Sequence, residues 1–141
     1  MTVAQDKRRS KPSRVERTPA DKKWIDAFCK AADPYNAALV RFMFETAARI
    51  DQAISMEPDD LKPAENLVRV KAQKGHPESW ITVSPEMMHE LLALPPKRPK
   101  NRRTGKFMKP RVFGYGSSTG YNTRWKTICK RAGSIHCTWR V

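Results

Sequence analysis

Residues 42–61 read FMFETAARIDQAISMEPDDL. Phe42, Met43 and Ala47 continue an apolar stripe that starts at Leu39, at the spacing of one helix face. The stripe runs into Arg49, the sole basic residue between Arg41 and Lys62. A short amphipathic turn follows, then the acidic turn Glu57-Pro58-Asp59-Asp60. A lone arginine after an apolar helix has two uses. It pairs with a buried carboxylate, or it binds an anion, because its planar fork of donors suits a phosphate as well as a carboxylate.

Outward from this stretch, the chain alternates helix signals with one hairpin signal. Thr18-Pro19-Ala20-Asp21 predicts a helix start, with Trp24, Phe28 and Ala31/Ala32 on one face. Asp33-Pro34 repeats the start signal. Downstream, Leu67-Val68-Arg69-Val70-Lys71 and Trp80-Ile81-Thr82-Val83 flank the turn Gln73-Lys74-Gly75-His76-Pro77. β-Branched and aromatic residues on both sides of a Gly/Pro turn predict an antiparallel hairpin. Ser84-Pro85-Glu86 predicts a further helix with Met87, Met88, Leu91, Leu92 and Leu94 apolar, stopped by Pro95-Pro96. Residues 97–111 (KRPKNRRTGKFMKPR) read as an irregular basic loop. Val112-Phe113 is an apolar stub, 114–120 a turn-rich connection, and Tyr121, Trp125, Ile128, Cys129 and Ala132 recur at helical spacing up to a Gly133 cap. The expected class is α+β, mostly helical with a small antiparallel sheet.

Charge is the second strong signal. The 141 residues carry 28 Lys/Arg against 14 Asp/Glu, a net +14. Its placement is uneven: residues 24–96 hold 7 basic against 11 acidic side chains, whereas 97–111 hold 8 basic and no acidic ones. A mildly acidic body with basic arms suits nucleic acid, whose phosphates a cationic arm can track. Residues 1–17 read as a polar, basic tail or linker ahead of a domain over 18–141. Expected DNA contacts are Lys97, Arg98, Lys100, Arg102, Arg103, Lys106, Lys109 and Arg111 on the loop, with Lys126 and Lys130 on the last helix. No apolar run reaches the roughly 20 residues that a membrane helix needs. Cys29, Cys129 and Cys137 form no CxxC pair and no zinc spacing. They fit a reducing compartment, with Cys29 and Cys129 as small core residues.

The run Thr46-Ala47-Ala48-Arg49-Ile50-Asp51-Gln52-Ala53-Ile54-Ser55-Met56 resembles the first arginine box of tyrosine recombinases (phage integrases), roughly T-G-x-R-I-x-E-A-L-x-L. Ala47 stands at the glycine of that box and Gln52 at its acidic residue. The hairpin is similar to the family's, with Lys74 at the turn as the match for its lysine and Lys71 as the second choice. WKTICKRAGS (125–134) looks like the segment before the family's second box. The resemblance spans about residues 18–135. It implies a DNA-binding, site-specific recombinase catalytic domain acting on double-stranded DNA, oligomeric when assembled there, in the cytoplasm of a bacterial or phage-derived system and associated with the nucleoid. It also implies catalytic roles for Arg49 and Lys74.

Such chemistry attacks a phosphodiester with a tyrosine hydroxyl, holds the non-bridging oxygens with two arginines, and protonates the leaving 5′ oxygen from lysine. It needs no metal or other cofactor. His136 is followed three residues later by Trp139 rather than arginine, and Tyr35, Tyr115 and Tyr121 all precede the nucleophile's place. The expectation is a truncated domain that binds DNA and does not cut it. The alternative is a non-catalytic, basic nucleic-acid-binding module. It rests on charge alone, and in it Arg49 is buried against Asp51 or Glu45, or simply exposed. A structural protein with solvating arms would show no DNA binding at moderate salt.

Overall fold

The computed structural model describes residues 22–72, 75 and 77–133. Along them run α1 (Lys22–Ala31), α2 (Pro34–Thr46), α3 (Ile50–Ile54), a 3-10 turn (Pro58–Asp60), β1 (Leu61–Lys62), β2 (Leu67–Val70), β3 (Ser79–Thr82), α4 (Pro85–Leu92) and α5 (Ser118–Arg131). The class is α+β, as expected. The expected start at Thr18-Pro19, the turn residues Gln73, Lys74 and His76, and the 134–141 segment lie outside the described residues.

Helix starts follow the local chemistry. Asp33 caps α2, its carboxylate accepting from the Asn36 amide, and Pro34 occupies the first turn. Ser84 caps α4 through its hydroxyl, which accepts from the Met87 amide at 3.1 Å. Glu45 adds a second tie, accepting from both the Ser84 amide and its hydroxyl.

The sheet has order β1-β2-β3, antiparallel throughout. Val68 and Val70 face the core. The hairpin of β2 and β3 matches the reading from sequence. The third strand, β1, was not anticipated: it is two residues long, and it returns through a turn in which Asn66 takes a left-handed φ of 53°.

The core lies where α2 meets the other elements. Phe28, Leu39, Val40, Phe42, Met56, Val68, Leu91 and Ile128 are fully buried. Burial of such side chains stabilises by about 1.5–3 kcal/mol each before entropy is counted. An aromatic chain ties α1 to α5: Trp24 stacks on Phe28 at 5.1 Å, Phe28 meets Trp125 at 5.0 Å, and Tyr121 meets Trp125 edge-on at 5.2 Å.

Two boundaries differ from the sequence reading. The α2 helix stops at Thr46, and Ala47 turns the chain with φ 59°, its amide donating to the Met43 carbonyl. Arg49 therefore sits between helices, as the N-terminal flanking residue of α3, and not on a helix end. At the far end, α5 begins at Ser118, so Gly120 lies inside the helix and not in a connecting turn.

The segment 97–111 is also more ordered than a basic loop. Lys97 pairs with Arg111 and Lys100 with Phe107 in antiparallel bridges. The Lys97 and Arg111 amides each donate to the other's carbonyl, at 3.1 and 2.7 Å, and the Met108 amide donates to the Pro99 carbonyl. The result is a short two-stranded ribbon. Its tip is closed by the Asn101 carboxamide oxygen, which accepts from the Arg103 and Thr104 amides. At its base Val112 and Phe113 are buried, and the Val112 amide donates to the Met56 carbonyl. Gly114, with φ 79°, lets the ribbon close: a Cβ there would lie 3.0 Å from a Lys97 side-chain carbon.

Candidate nucleic-acid interface

Arg49 is exposed, and its guanidinium has no hydrogen bond or ion pair among the described residues. The buried-carboxylate use is therefore not the one seen. Its backbone is held firmly. The Gln52 carboxamide oxygen accepts from the Arg49 amide at 3.3 Å, and the Gln52 NH2 donates to the Lys71 carbonyl at 3.5 Å. Gln52 is itself buried. It joins the turn carrying Arg49 to the end of the strand that leads, three residues on, to Lys74. Lys74 itself lies outside the described residues.

Lys71 is tied down. Its Nζ lies 3.3 Å from both Glu57 and Asp60 carboxylates and donates to the Ser55 carbonyl at 3.2 Å. Asp60 is fully buried and also accepts from Arg69 Nε at 2.8 Å and from the Glu57 amide at 2.8 Å. The Asp60 carboxylate, through this hydrogen bond and its charge, raises the Arg69 pKa, so Arg69 is cationic at every working pH. The acidic turn thus serves as an anchor for β2. A charge at this depth is tolerated because every oxygen has a partner.

The ribbon divides its cations into two groups. Three are engaged near its body. Arg111 is half-buried and donates to the Tyr115 carbonyl at 2.8 Å, and burial lowers its pKa. Arg98 donates across the ribbon to the Met108 carbonyl, and the Lys97 ammonium sits 3.9 Å from the centre of the Tyr35 ring. Lys100, Arg102, Arg103, Lys106 and Lys109 are exposed, and their side-chain charges make no hydrogen bond or ion pair among the described residues, Lys100 having only a loose contact with the Phe107 ring at 5.8 Å. Of the expected DNA contacts, Arg111 thus holds the Tyr115 carbonyl, whereas the charges of these five face solvent.

Lys100, Arg102 and Arg103 come together along a groove of about 340 Å³, closed on its other side by Gly116, Ser117 and Gly120 at the start of α5. Its walls carry cations and no carboxylate, which suits a phosphate-bearing strand. Arg49 does not line this groove. Lys126 and Lys130 are exposed on α5, and neither lines it.

One polar cluster was missed from sequence. Asn36, buried in α2, accepts through its carboxamide oxygen from the Tyr115 hydroxyl at 2.7 Å and from the Trp125 indole at 3.0 Å. Its NH2 donates to Asp33 at 2.7 Å, and Arg124 approaches the same carboxylate at 3.5 Å. Burial raises the Asp33 pKa, but hydrogen bonds from Asn36 and the backbone, with the Arg124 charge, outweigh it and hold the carboxyl below its ordinary value. Burial pushes the Tyr115 phenol up despite its bond to Asn36. The only hint in the sequence is a single asparagine inside the apolar run PYNAALVRF (34–42).

The three tyrosines of the chain are all engaged. Tyr35 donates to the Pro95 carbonyl, Tyr115 to Asn36, and Tyr121 packs on Trp125. Among the described residues no helix is long and apolar enough to cross a membrane, and no three His, Cys, Asp or Glu side chains cluster as metal ligands.

No family model matches the chain, and no curated protein matches its sequence. Among solved structures it is similar to the crystal structure of XerA recombinase, with a TM-score of 0.60 at 15% identity over 85% of this chain and 45% of that one. The chain spans less than half the length of that neighbour. What the two share is the fold: a recombinase-like α+β domain, here carrying a basic ribbon between α4 and α5.

Proposed function

We propose that this chain is a DNA-binding domain of the tyrosine-recombinase type, which grips double-stranded DNA through the ribbon and does not by itself cut it. The observation that carries the reading is the set of five unpaired cations on the ribbon, three of them along one groove, on a recombinase-like fold. Lys126 and Lys130 add charge from α5. In this reading residues 18–141 form the domain and residues 1–17 a basic tail.

Arg49 supplies an unpaired guanidinium to a non-bridging phosphate oxygen, and Lys74 an ammonium to a leaving oxygen. What supports the reading is that Gln52 joins the Arg49 turn to Lys71, three residues before Lys74 in the sequence. Cleavage also needs an activated hydroxyl. The Tyr35 and Tyr115 hydroxyls donate to the Pro95 carbonyl and to Asn36, the Tyr121 ring packs on Trp125, and burial makes the Tyr115 phenol less acidic.

The test is to mix the chain with a nicked duplex and resolve the products with and without detergent. The expected outcome is a retarded complex that detergent abolishes. A detergent-resistant adduct would show cleavage, and the absence of any complex at low salt would remove DNA binding altogether.

A second reading, a basic nucleic-acid-binding module without catalytic ancestry, draws on the exposure of Arg49 and the capture of Lys71 by Glu57 and Asp60. In that case Arg49→Ala leaves affinity for any duplex unchanged.

A further inference from the structure

The ribbon carries a feature that phosphate binding does not use. Phe107 is 62% exposed, the most exposed of the large apolar side chains among the described residues. It lies opposite Lys100 in the ribbon, with the Arg98 and Lys100 charges each 5.8 Å from its ring centre. An aromatic ring held out into water beside two cations lacks an apolar cover, and cations of this kind draw a polyanion over it.

We propose that Phe107 contacts bases: the ribbon enters the major groove of duplex DNA and sets this ring against thymine methyl groups. The inference rests on the DNA-binding reading above and adds to it a direct base contact.

Dimensions support it. Paired strands lie about 4.8 Å apart, and the Lys100–Phe107 pair lies about 10 Å beyond the Lys97–Arg111 pair at 3.3 Å per residue. The major groove is about 12 Å wide and 8.5 Å deep, and it admits a two-stranded ribbon. The ribbon is therefore narrow enough to enter the groove while its base stays on the domain. Chemistry supports it too. The thymine methyl is the apolar group displayed in that groove, and phenylalanine is a residue suited to it. Arg98 and Lys100 lie beside the ring, and the exposed Arg102 and Arg103 at the tip can meet phosphates on the groove edges. The anchored base, fixed by Arg111 on Tyr115 and by the buried Val112 and Phe113, gives the ribbon a defined direction.

The experiment measures affinity of the full chain for two duplexes of one A·T-rich sequence, one with thymine and one with uracil throughout, across a salt series. Wild type and Phe107→Ala are compared. Wild type is expected to favour the thymine duplex several-fold. Phe107→Ala is expected to bind about tenfold more weakly, with the salt slope of wild type and no preference between the duplexes. Phe107 is exposed, so an unchanged thermal melt checks that the variant is folded. If wild type binds both duplexes equally, or if Phe107→Ala stays within twofold of it, the base contact is refuted and the ribbon is a backbone clamp. If wild type binds neither duplex at any salt, the DNA-binding reading itself fails.

Discussion

The Trp125 indole nitrogen and the Asn36 carboxamide oxygen lie 3.0 Å apart across 89 residues of sequence, joining α5 to α2 inside the core. The same oxygen takes the Tyr115 hydroxyl. Asn36→Ala removes the acceptor for both donors and leaves a gap beside them. The expected cost is about 2–4 kcal/mol, read as a fall in Tm of roughly 8–15 °C. Tyr115→Phe removes one donor only, so its cost should be about 1 kcal/mol. Equal melts for Asn36→Ala and wild type would show that the cluster does not hold α5 in place.

Ala47 makes the opposite prediction. It turns the chain after α2 at φ 59°, a conformation that an L residue with a Cβ adopts at a cost of about 1–2 kcal/mol. It is exposed, so a loss of side chain opens no cavity. Ala47→Gly should raise stability by up to about 1 kcal/mol, the larger backbone freedom of glycine in the unfolded chain taking back part of the gain. A denaturant midpoint unchanged or lowered by the substitution would count against a left-handed residue here.

Asp33 gives a pH dependence. Its folded pKa lies below the ordinary aspartate value of about 3.9, so the unfolded chain binds its proton first as pH falls. Its contribution is complete above the ordinary value and is lost as pH drops through the lowered one. Asp33→Asn keeps a good cap at the start of α2 but carries no titrating charge. The variant should be less stable than wild type at pH 7, and the gap should close below about pH 4. A gap that is constant from pH 7 to pH 2 would assign the role of Asp33 to capping alone.

The parts legible in the sequence are those coded by neighbouring residues. Asp33-Pro34 and Ser84-Pro85 mark helix starts because cap and proline chemistry act within one turn. The β2–β3 hairpin shows in its β-branched residues. What stayed hidden depends on distant partners or on backbone bonds alone. Asn36 finds its partners 79 and 89 residues away, and no local period points to them. The ribbon of 97–111 is held by main-chain bonds between stretches of lysine, arginine and proline, so no apolar alternation betrays it. Arg111 reads as one more exposed cation until the fold places the Tyr115 carbonyl beside it. The position of Arg49 between two helices follows from the left-handed turn at Ala47, where an alanine gives no warning of a helix end.

The central claim is that the unpaired ribbon cations grip DNA, and the salt dependence of duplex binding tests it most directly. Five such cations, each neutralising one phosphate, contribute about −4.5 to the slope of log affinity against log salt, at about −0.9 per contact, and any contact from Lys126 or Lys130 steepens it further. The triple variant Arg102→Ala, Arg103→Ala, Lys106→Ala should flatten that slope by about 2.7, with its melt unchanged because these side chains are exposed and unpaired. A wild-type slope near zero, or a triple variant with the slope of wild type, would contradict the claim.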